Sequence, residues 1–546
     1  MANDNHLFSV TCYNVTMQKQ DYYNEFFEIG QQKINFSFFE LSLPDDDPVY
    51  TLKKVMEELD FSGLLANCSD KGRIGYNPIM MYAVVTYANM RGVRAVDRIV
   101  ELCERDLAFI WLTKGQKPKR DAFYEFKNKK LTPDVLDELN YQFLRRLQKE
   151  GLITLKALYI DGTKMEANAN RYTFVWRGTI NYHLAGLLDN IDSLYQKYNT
   201  LIDENEYDMK YDIPHAQMFV IEGIDKVREV IEKNRKRKLT KHKKLSNNTI
   251  IEIDNCSPLE ILKLQKNLLQ IAEQEHITFV YGKGKRKPEI QQLYEELEAC
   301  GERLMGYKEC FEIMGRDRNS YSKTDLEATF MRMKEDAMLN GQLKPAYNIQ
   351  HGVDSEYITW IDISPHPTDT RTLIPFLKDM ESHLGFKYSE IVADAGYESE
   401  ENYLFIEGNG QTAYIKPQNY EISKTRKYKK AIGRRENMEY HADRDSYICR
   451  NGRELTVTNE RRSKTASGYV SVKTYYKSSD CTGCPYKIEC IKGNNCKTPM
   501  EKRNKVLMVS KTMSQKRAED LKRITSEYGT TVSYTHPEPT RRSYIS

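Results

Sequence analysis

From about residue 183 to 315 the chain is charged, rich in Glu and Lys and poor in Gly and Pro, and it interrupts a strand pattern present on both sides of it. Residues 259–275 and 289–310 have the clearest helical periodicity, and a coiled-coil-like hairpin is the expected form. Before the interruption, residues 155–160 read as a strand that stops at Asp161-Gly162. After it, strands return at 345–353 and 357–363, separated by a turn at Asp354. Such a chain must assemble one α/β core from two distant pieces and carry the helices between them as an insertion.

The second piece continues with a helix that places Leu373, Phe376, Leu377, Met380 and Leu384 on one face and has Gly385 as its stop. Pro375 fits only in the first turn, so Asp369 or Thr372 is the expected cap. A strand at 390–393 ends at Asp394, Ser399 caps a short helix carrying Glu400 and Glu401, and a last strand spans 411–415. This order is that of a ribonuclease-H-like core: three antiparallel strands, a crossover helix, then a fourth strand beside the first. Asp161 and Asp394 then share one sheet edge, where two close carboxylates repel unless a divalent cation lies between them. Taken singly, Asp161-Gly162 reads as a hairpin turn and Asp394 as a loop cap; the strand order favours the site.

Ahead of the core, residues 1–48 are a polar extension ending in Leu-Pro-Asp-Asp-Asp-Pro, and 49–150 are helical. Pro78 opens one helix with Ile79, Met80, Ala83, Val84 and Tyr87 at helical spacing, Arg91-Gly92 breaks it, and Val96, Ile99, Val100 and Cys103 mark the next. Helix, turn, helix followed by Lys117, Lys119, Arg120 and the run 127–130 is compatible with a DNA-binding module. The remaining boundaries are 151–182 and 316–420 for the two parts of the catalytic core, 183–315 for the insertion, 421–510 for a basic Cys-rich module, 511–529 for the start of a C-terminal helix, and 530–546 for an atypical tail.

Net charge is only +4, but residues 416–529 hold 27 Lys and Arg against 13 Asp and Glu, which points to a polyanionic partner for that part. The basic run 233–244 reads as a solvated helix face. Tyr172, Phe174 and Trp176 alternate as one packed face of a strand. No apolar run approaches the ~18 residues that span a bilayer, the best being 78–90, and the N-terminus lacks the order of a signal peptide, so a cytoplasmic protein without a membrane segment is expected. Cys481, Cys484 and Cys490, with Cys449 or Cys496 as a fourth, have thiols enough for one tetrahedral Zn²⁺ that would hold a basic flap with no large core of its own; reduced surface thiols are the alternative. Lys473, Tyr475, Tyr476 and Lys477 just before it are placed to meet a DNA backbone.

The stretches Tyr159-Ile-Asp-Gly-Thr-Lys-Met-Glu-Ala-Asn-Ala-Asn170, Ser322-Lys-Thr-Asp325, Gly341-Gln-Leu-Lys-Pro-Ala-Tyr-Asn-Ile-Gln350 and Val392-Ala-Asp-Ala-Gly-Tyr397 resemble the DDE transposases of bacterial insertion sequences, in particular the long-chain relatives of the insertion-sequence-4/5 type. The resemblance spans about residues 50–530. It implies a ribonuclease-H-like catalytic domain, Mg²⁺ (or Mn²⁺) dependence, double-stranded DNA with terminal inverted repeats as substrate, a homo-oligomer on DNA, and strand cleavage followed by transfer to target DNA. Asp161 and Asp394 match the first two catalytic aspartates. The family's third carboxylate, a Glu on a later helix, has no counterpart here: residues 530–546 depart from the pattern, Pro537 and Pro539 flank Glu538, and Glu527 comes too early. A frameshifted or truncated end is the expectation, with a DNA-binding remnant that represses transposition, or a metal-dependent nuclease on the same core, as the competing functions.

Overall fold

The computed structural model describes residues 43–68, 75–216, 258–315, 318–333, 341–465, 467–491 and 498–534, together with Phe26 and two short strands, β1 (Ile34–Phe36) and β2 (Phe39–Leu41). Residues 233–244, Cys496 and Glu538 lie outside the described residues. The chain divides into two compact units, Met1–Leu158 with Val353–Thr359 and Lys378–Tyr388, and Tyr159–Gly352 with Trp360–Leu377 and Ser389–Ser546.

In the first unit Pro48, Pro78 and Pro133 each open a helix, where a missing N–H leaves no bond unmade. The helices are α1 (Pro48–Met56), α2 (Ser62–Ala66), α3 (Pro78–Met90), α4 (Val96–Arg105), α5 (Leu107–Thr113), α6 (Arg120–Glu125) and α7 (Pro133–Lys149). Asn77 caps α3, its Oδ1 accepting from the Ile79 and Met80 amides at 2.9 and 3.3 Å. Ile79, Met80, Met81, Ala83, Val84, Val85, Tyr87 and Ala88 are all buried, so α3 is the central helix of this unit rather than a one-faced surface helix.

The second unit begins in β3 (Ala157–Glu166), which runs straight through Asp161 and Gly162. The strand expected to stop at Asp161-Gly162 continues to Glu166, so the alternative of a hairpin turn there falls away. Gly162 is a glycine because of crowding across the sheet, not because the chain reverses. Then come β4 (Phe174–Trp176), α8 (Arg177–Glu204), α9 (Tyr207–Tyr211), α10 (Leu259–Gln274), α11 (Glu289–Met314) and β5 (Ser320–Ser322). The helices bury Leu188, Ile191, Tyr198, Leu268, Ile271, Leu297 and Leu304 against one another, which is what holds so charged a segment together. β4 and β5 pair antiparallel, Phe174 opposite Ser322 and Trp176 opposite Ser320. Phe174 and Trp176 pack on Phe330, but Tyr172 precedes the strand and is 87% exposed, so the three aromatics do not form one buried face.

β6 (Thr329–Arg332), β7 (Leu343–Asp354), β8 (Tyr357–Ser364), α12 (Leu373–Leu384), β9 (Glu390–Ala393), α13 (Glu400–Gly408) and β10 (Thr412–Ile415) complete the main sheet. Its order is β10-β9-β3-β7-β6, with β8 also on β7. The strand that ends at Asp394 is therefore the neighbour of the strand that carries Asp161. β9 and β10 are parallel, and β6, absent from the sequence reading, is antiparallel to β7. Leu373, Phe376, Leu377, Met380 and Leu384 of α12 are fully buried, and Gly385 takes φ +67° after it.

A second, antiparallel sheet of β11 (Glu439–His441), β12 (Ser446–Ile448), β13 (Glu454–Lys464), β14 (Val470–Ser478) and β15 (Val506–Val509) follows in that order. Met438, Tyr447, Leu455, Tyr476, Leu507 and Val509 give it a small core of its own, where the sequence pointed to a flap without a large one. The chain then forms α14 (Lys511–Ile524) and α15 (Glu527–Tyr534), whose Ile524 and Val532 pack on Val392 and Tyr414. No described helix is long and apolar enough to cross a membrane.

Candidate active site

Asp161 lies in mid-strand, partly exposed, with its Oδ1 accepting from the Gly162 amide at 2.8 Å. Asp394 is the first residue after β9, and its Oδ1 accepts from the Gly396 amide at 2.7 Å. Both carboxylates are thus oriented by the backbone of the next turn or residue. Tyr397 lies beneath them, fully buried, with its hydroxyl donating to Gln350 Oε1. Burial pushes that phenol well above its ordinary range, and Asp369, Asp161 and Asp394 push it further in that order. One hydroxyl therefore feels three carboxylates.

Sequence reasoning considered Asp369 only as a helix cap. The structure gives its side chain another partner: Asn348 Nδ2 donates to Asp369 Oδ1 at 2.7 Å. The two glycines show how tightly the groups converge. A Cβ at Gly162 would stand 2.7 Å from Gln350 Nε2, 2.9 Å from Asp369 Oδ1 and 3.1 Å from the Tyr397 hydroxyl. A Cβ at Gly396 would stand 2.9 Å from Asp394 Oδ1 and 3.0 Å from Asp369 Oδ2. Gln350 is fully buried and its Nε2 has no hydrogen-bond partner. His351, next along β7, is held below its ordinary value by burial, against a smaller upward pull from Asp161. In the Ser322-Lys-Thr-Asp325 stretch, Asp325 accepts from the Tyr347 hydroxyl at 2.8 and 2.9 Å, which ties that turn to β7.

The loop after Asp394 is fastened from α14. The Arg517 guanidinium grips both oxygens of Glu398, whose side chain is fully buried and also accepts from the Gln418 amide at 2.8 Å. Asp520, also fully buried, accepts from the Ile415 amide at 3.2 Å, from Tyr403 and from Arg523. Neither contact was foreseen from the sequence. At the start of α15 the Tyr528 hydroxyl donates to Glu390, at the end of β9 remote from Asp394 by about 13 Å of strand. Glu527 thus heads a helix tied to the far end of that strand.

Four cysteines line one small cavity in the second sheet: Cys449, Cys481, Cys484 and Cys490, with Arg453, Lys487 and Lys505 around them. Cys449 sits in the turn between β12 and β13, closed by the Gly452 amide donating to its carbonyl at 2.9 Å. Cys481 and Cys484 flank a tight turn in which Gly483 adopts φ +65°, and Cys490 ends a one-turn helix, Lys487–Cys490. The Lys505 amide donates to Cys481 Sγ at 3.3 Å. Burial pushes the Cys490 thiol up, the other three thiols add to this, and Lys505 opposes it. Among the described residues the group of three His, Cys, Asp or Glu side chains with ligand atoms all within 4.8 Å is Asp203, Asp208 and His215, so the thiols and the three aspartates are spaced more widely than that. Of the residues expected to meet DNA, Tyr476 is buried, bonded to Asp445 at 2.7 Å, and is excluded; Lys477 is exposed and Arg461 lies over the Tyr475 ring.

Residues 318–525 match the family described as the transposase DDE domain, and residues 37–129 match a transposase domain (DUF772). Together the two matches cover more than half of the chain, which belongs to the DDE transposases of insertion sequences. Asp369 and Asp394 lie inside the first match and Asp161 precedes it. No curated protein and no solved structure matches the chain at a significant level.

Proposed function

We propose that this chain cleaves and transfers DNA strands at the ends of an insertion sequence of the 4/5 type, in a metal-dependent reaction on a ribonuclease-H-like core, with Asp161 and Asp394 as its first two catalytic carboxylates. The observation that carries the reading is the adjacency of β3 and β9, with both carboxylates acting on the Tyr397 hydroxyl. Carboxylate oxygens are hard donors suited to Mg²⁺ or Mn²⁺, and both aspartates are accessible to solvent. Bound there, a divalent ion supplies Lewis-acid polarisation of the phosphodiester and activates the attacking oxygen. The chain's own part is to fix the two carboxylates through the Gly162 and Gly396 amides and to keep Tyr397 protonated, so that it serves as a hydrogen-bond donor and not as a base. None of the described glutamates is assigned as the family's third carboxylate.

The helical residues 49–150 and the basic residues 416–529 are the parts we assign to double-stranded DNA, terminal inverted repeats and target, bound by a homo-oligomer in the cytoplasm. Arg461, Arg462 and Lys464 on the exposed ribbon of β13 support phosphate contacts there. We assign Cys449, Cys481, Cys484 and Cys490 to a structural Zn²⁺; their shared cavity supports this, and the small core of that sheet gives the ion a stabilising role.

The test is to incubate the purified protein with a labelled element end and Mg²⁺. Cleavage and transfer abolished by Asp161→Ala and by Asp394→Ala uphold the reading. Cleavage without transfer would make it a nuclease, and salt-sensitive binding without cleavage a repressor-like remnant.

A further inference from the structure

We propose that Glu400 is a positioning residue: it fastens the basic ribbon of β13 and β14 to the segment leaving Asp394, so that end DNA gripped by the ribbon is presented to the catalytic carboxylates. The proposal rests on the reading of Asp394 as catalytic and of residues 416–529 as DNA-binding, and supplies the joint between them.

Three observations carry it. First, the far part of the ribbon has no other strand to lean on. β15 pairs with β14 only from Thr474 to Lys477, and β12 with β13 only at Glu454 and Leu455. Beyond that, Arg461–Lys464 and Val470–Lys473 are two strands alone, and a lone two-stranded hairpin is marginal in water.

Second, Glu400 gathers hydroxyls from that arm and from the start of α14. Tyr469 donates to its Oε1 at 2.5 Å, and Ser471 and Ser510 donate to its Oε2 at 3.0 and 2.5 Å. Ser510 is the cap of α14, accepting from the Met513 amide at 3.2 Å. Glu401 adds Ser467, from the turn at the ribbon tip, at 2.6 Å. Hydroxyl bonds to a carboxylate are short and directional, and with both Glu400 oxygens taken it acts as a fastening and not as a metal ligand. The fastening passes to the site through α13. Ser399 caps that helix, and the buried Asn402 side chain donates back to the Tyr397 carbonyl at 2.7 Å and across to the Thr370 carbonyl at 3.2 Å. Glu400 is thus locked to the loop that begins at Asp394, six residues earlier.

Third, the arm has two unlike faces. Ser463 stands opposite Ser471, whereas Arg462 stands opposite Val472 and Lys464 opposite Val470. Strand alternation puts the serines on the docked face and the two cations on the other, where both valines are exposed. The fastened face is hydroxylic, and the free face offers Arg462 and Lys464 to phosphates.

The experiment combines hydrogen exchange of the full chain with hydroxyl-radical footprinting on a labelled element end, without Mg²⁺ so that no cleavage step enters. Glu400→Ala is compared with Tyr469→Phe/Ser471→Ala, which removes the ribbon's donors. Glu400→Gln keeps an acceptor oxygen, and Glu407→Gln, which breaks a 2.7 Å ion pair to Lys516 between α13 and α14, is the control. In the first two variants amides 461–473 should exchange at least tenfold faster. Protection of the base pairs beside the scissile phosphate should be lost, with affinity for the end changed less than fivefold. Glu400→Gln and the control should keep the wild-type footprint. A freed ribbon with an unchanged footprint would make the contact structural only and overturn the proposal, as would wild-type exchange in Glu400→Ala; the DNA reading stands in both cases. A wild type that does not bind the end fails the DNA reading, and the proposal with it. Should Glu400→Ala unfold, the double variant carries the same expectation.

Discussion

Arg517 binds both oxygens of Glu398, at 2.6 and 2.8 Å, and Glu398 lies four residues beyond Asp394 in the loop that shapes the site. A helix more than a hundred residues downstream thereby fixes the exit of the strand that delivers a carboxylate. Glu398 is completely buried, so its charge depends on that guanidinium and on the Gln418 amide.

Removing the guanidinium with Arg517→Met leaves an uncompensated buried carboxylate. The expected loss is about 3–5 kcal/mol in urea unfolding, with the double variant Arg517→Met/Glu398→Gln recovering part of it. A loss below about 1 kcal/mol would mean that water reaches Glu398 and the contact is ornamental.

Asp520 makes stability depend on pH in a direction opposite to an ordinary salt-bridged aspartate. Burial pushes its carboxyl from 3.8 up to about 7, with Arg523 and the Ile415 amide pulling the other way. Between about pH 4 and 7 the folded chain therefore holds a proton that the unfolded chain releases. Its contribution to stability is complete below the unfolded value and is lost as pH rises through 7. The urea midpoint should fall from pH 5 to pH 8, and Asp520→Asn should flatten that slope; an unchanged slope in the variant would assign it to other groups.

The cysteine cavity predicts about one zinc per chain by plasma mass spectrometry. Cys449→Ser, Cys481→Ser, Cys484→Ser and Cys490→Ser should each lose it, and Cys496→Ser should keep it. The opposite result for Cys449 and Cys496 would exchange the fourth ligand, and a zinc-free wild type would leave four reduced thiols.

Gly162→Ala places a methyl group 2.7 Å from Gln350 Nε2 and 2.9 Å from Asp369 Oδ1. It should cost about 1–3 kcal/mol in thermal unfolding and reduce end cleavage. Gly408→Ala, at a position with nothing within 4 Å, is the matched control and should hold or gain up to about 1 kcal/mol.

What the sequence discloses and hides follows from its periodicities. Apolar runs ending in Asp-Gly and Asp-Ala-Gly made Asp161 and Asp394 legible, and the strand order made them neighbours. Gly162 was misread because a sequence shows the glycine and not what crowds it, so a close approach looks like a turn. Asp369 was obscured by its place ahead of a helix, where an aspartate is ordinarily a cap. The β11–β15 sheet escaped notice because β11, β12 and β15 are short, β13 buries one residue among eleven, and β14 buries mainly Ser and Thr, which leaves no apolar alternation to read. Arg517 and Asp520 sit in the C-terminal helix, and Glu398 and Ile415, to which they are bonded, lie over a hundred residues away in the sequence.

The pairing of β4 with β5 settles how the long helical excursion between them is paid for. The ladder extends one step to each side, Arg177 to Asn319 and Lys323 to Thr173, both at 2.9 Å, so departure and return are a single hydrogen-bonded doorway. Closing a chain at a fixed doorway costs an amount that grows only with the logarithm of what lies beyond it. The length of the excursion is consequently almost unconstrained by the sheet. It can be trimmed to a tight reversal or exchanged for a foreign helical pair, with the aspartate-bearing strands on the other side of the doorway keeping their register.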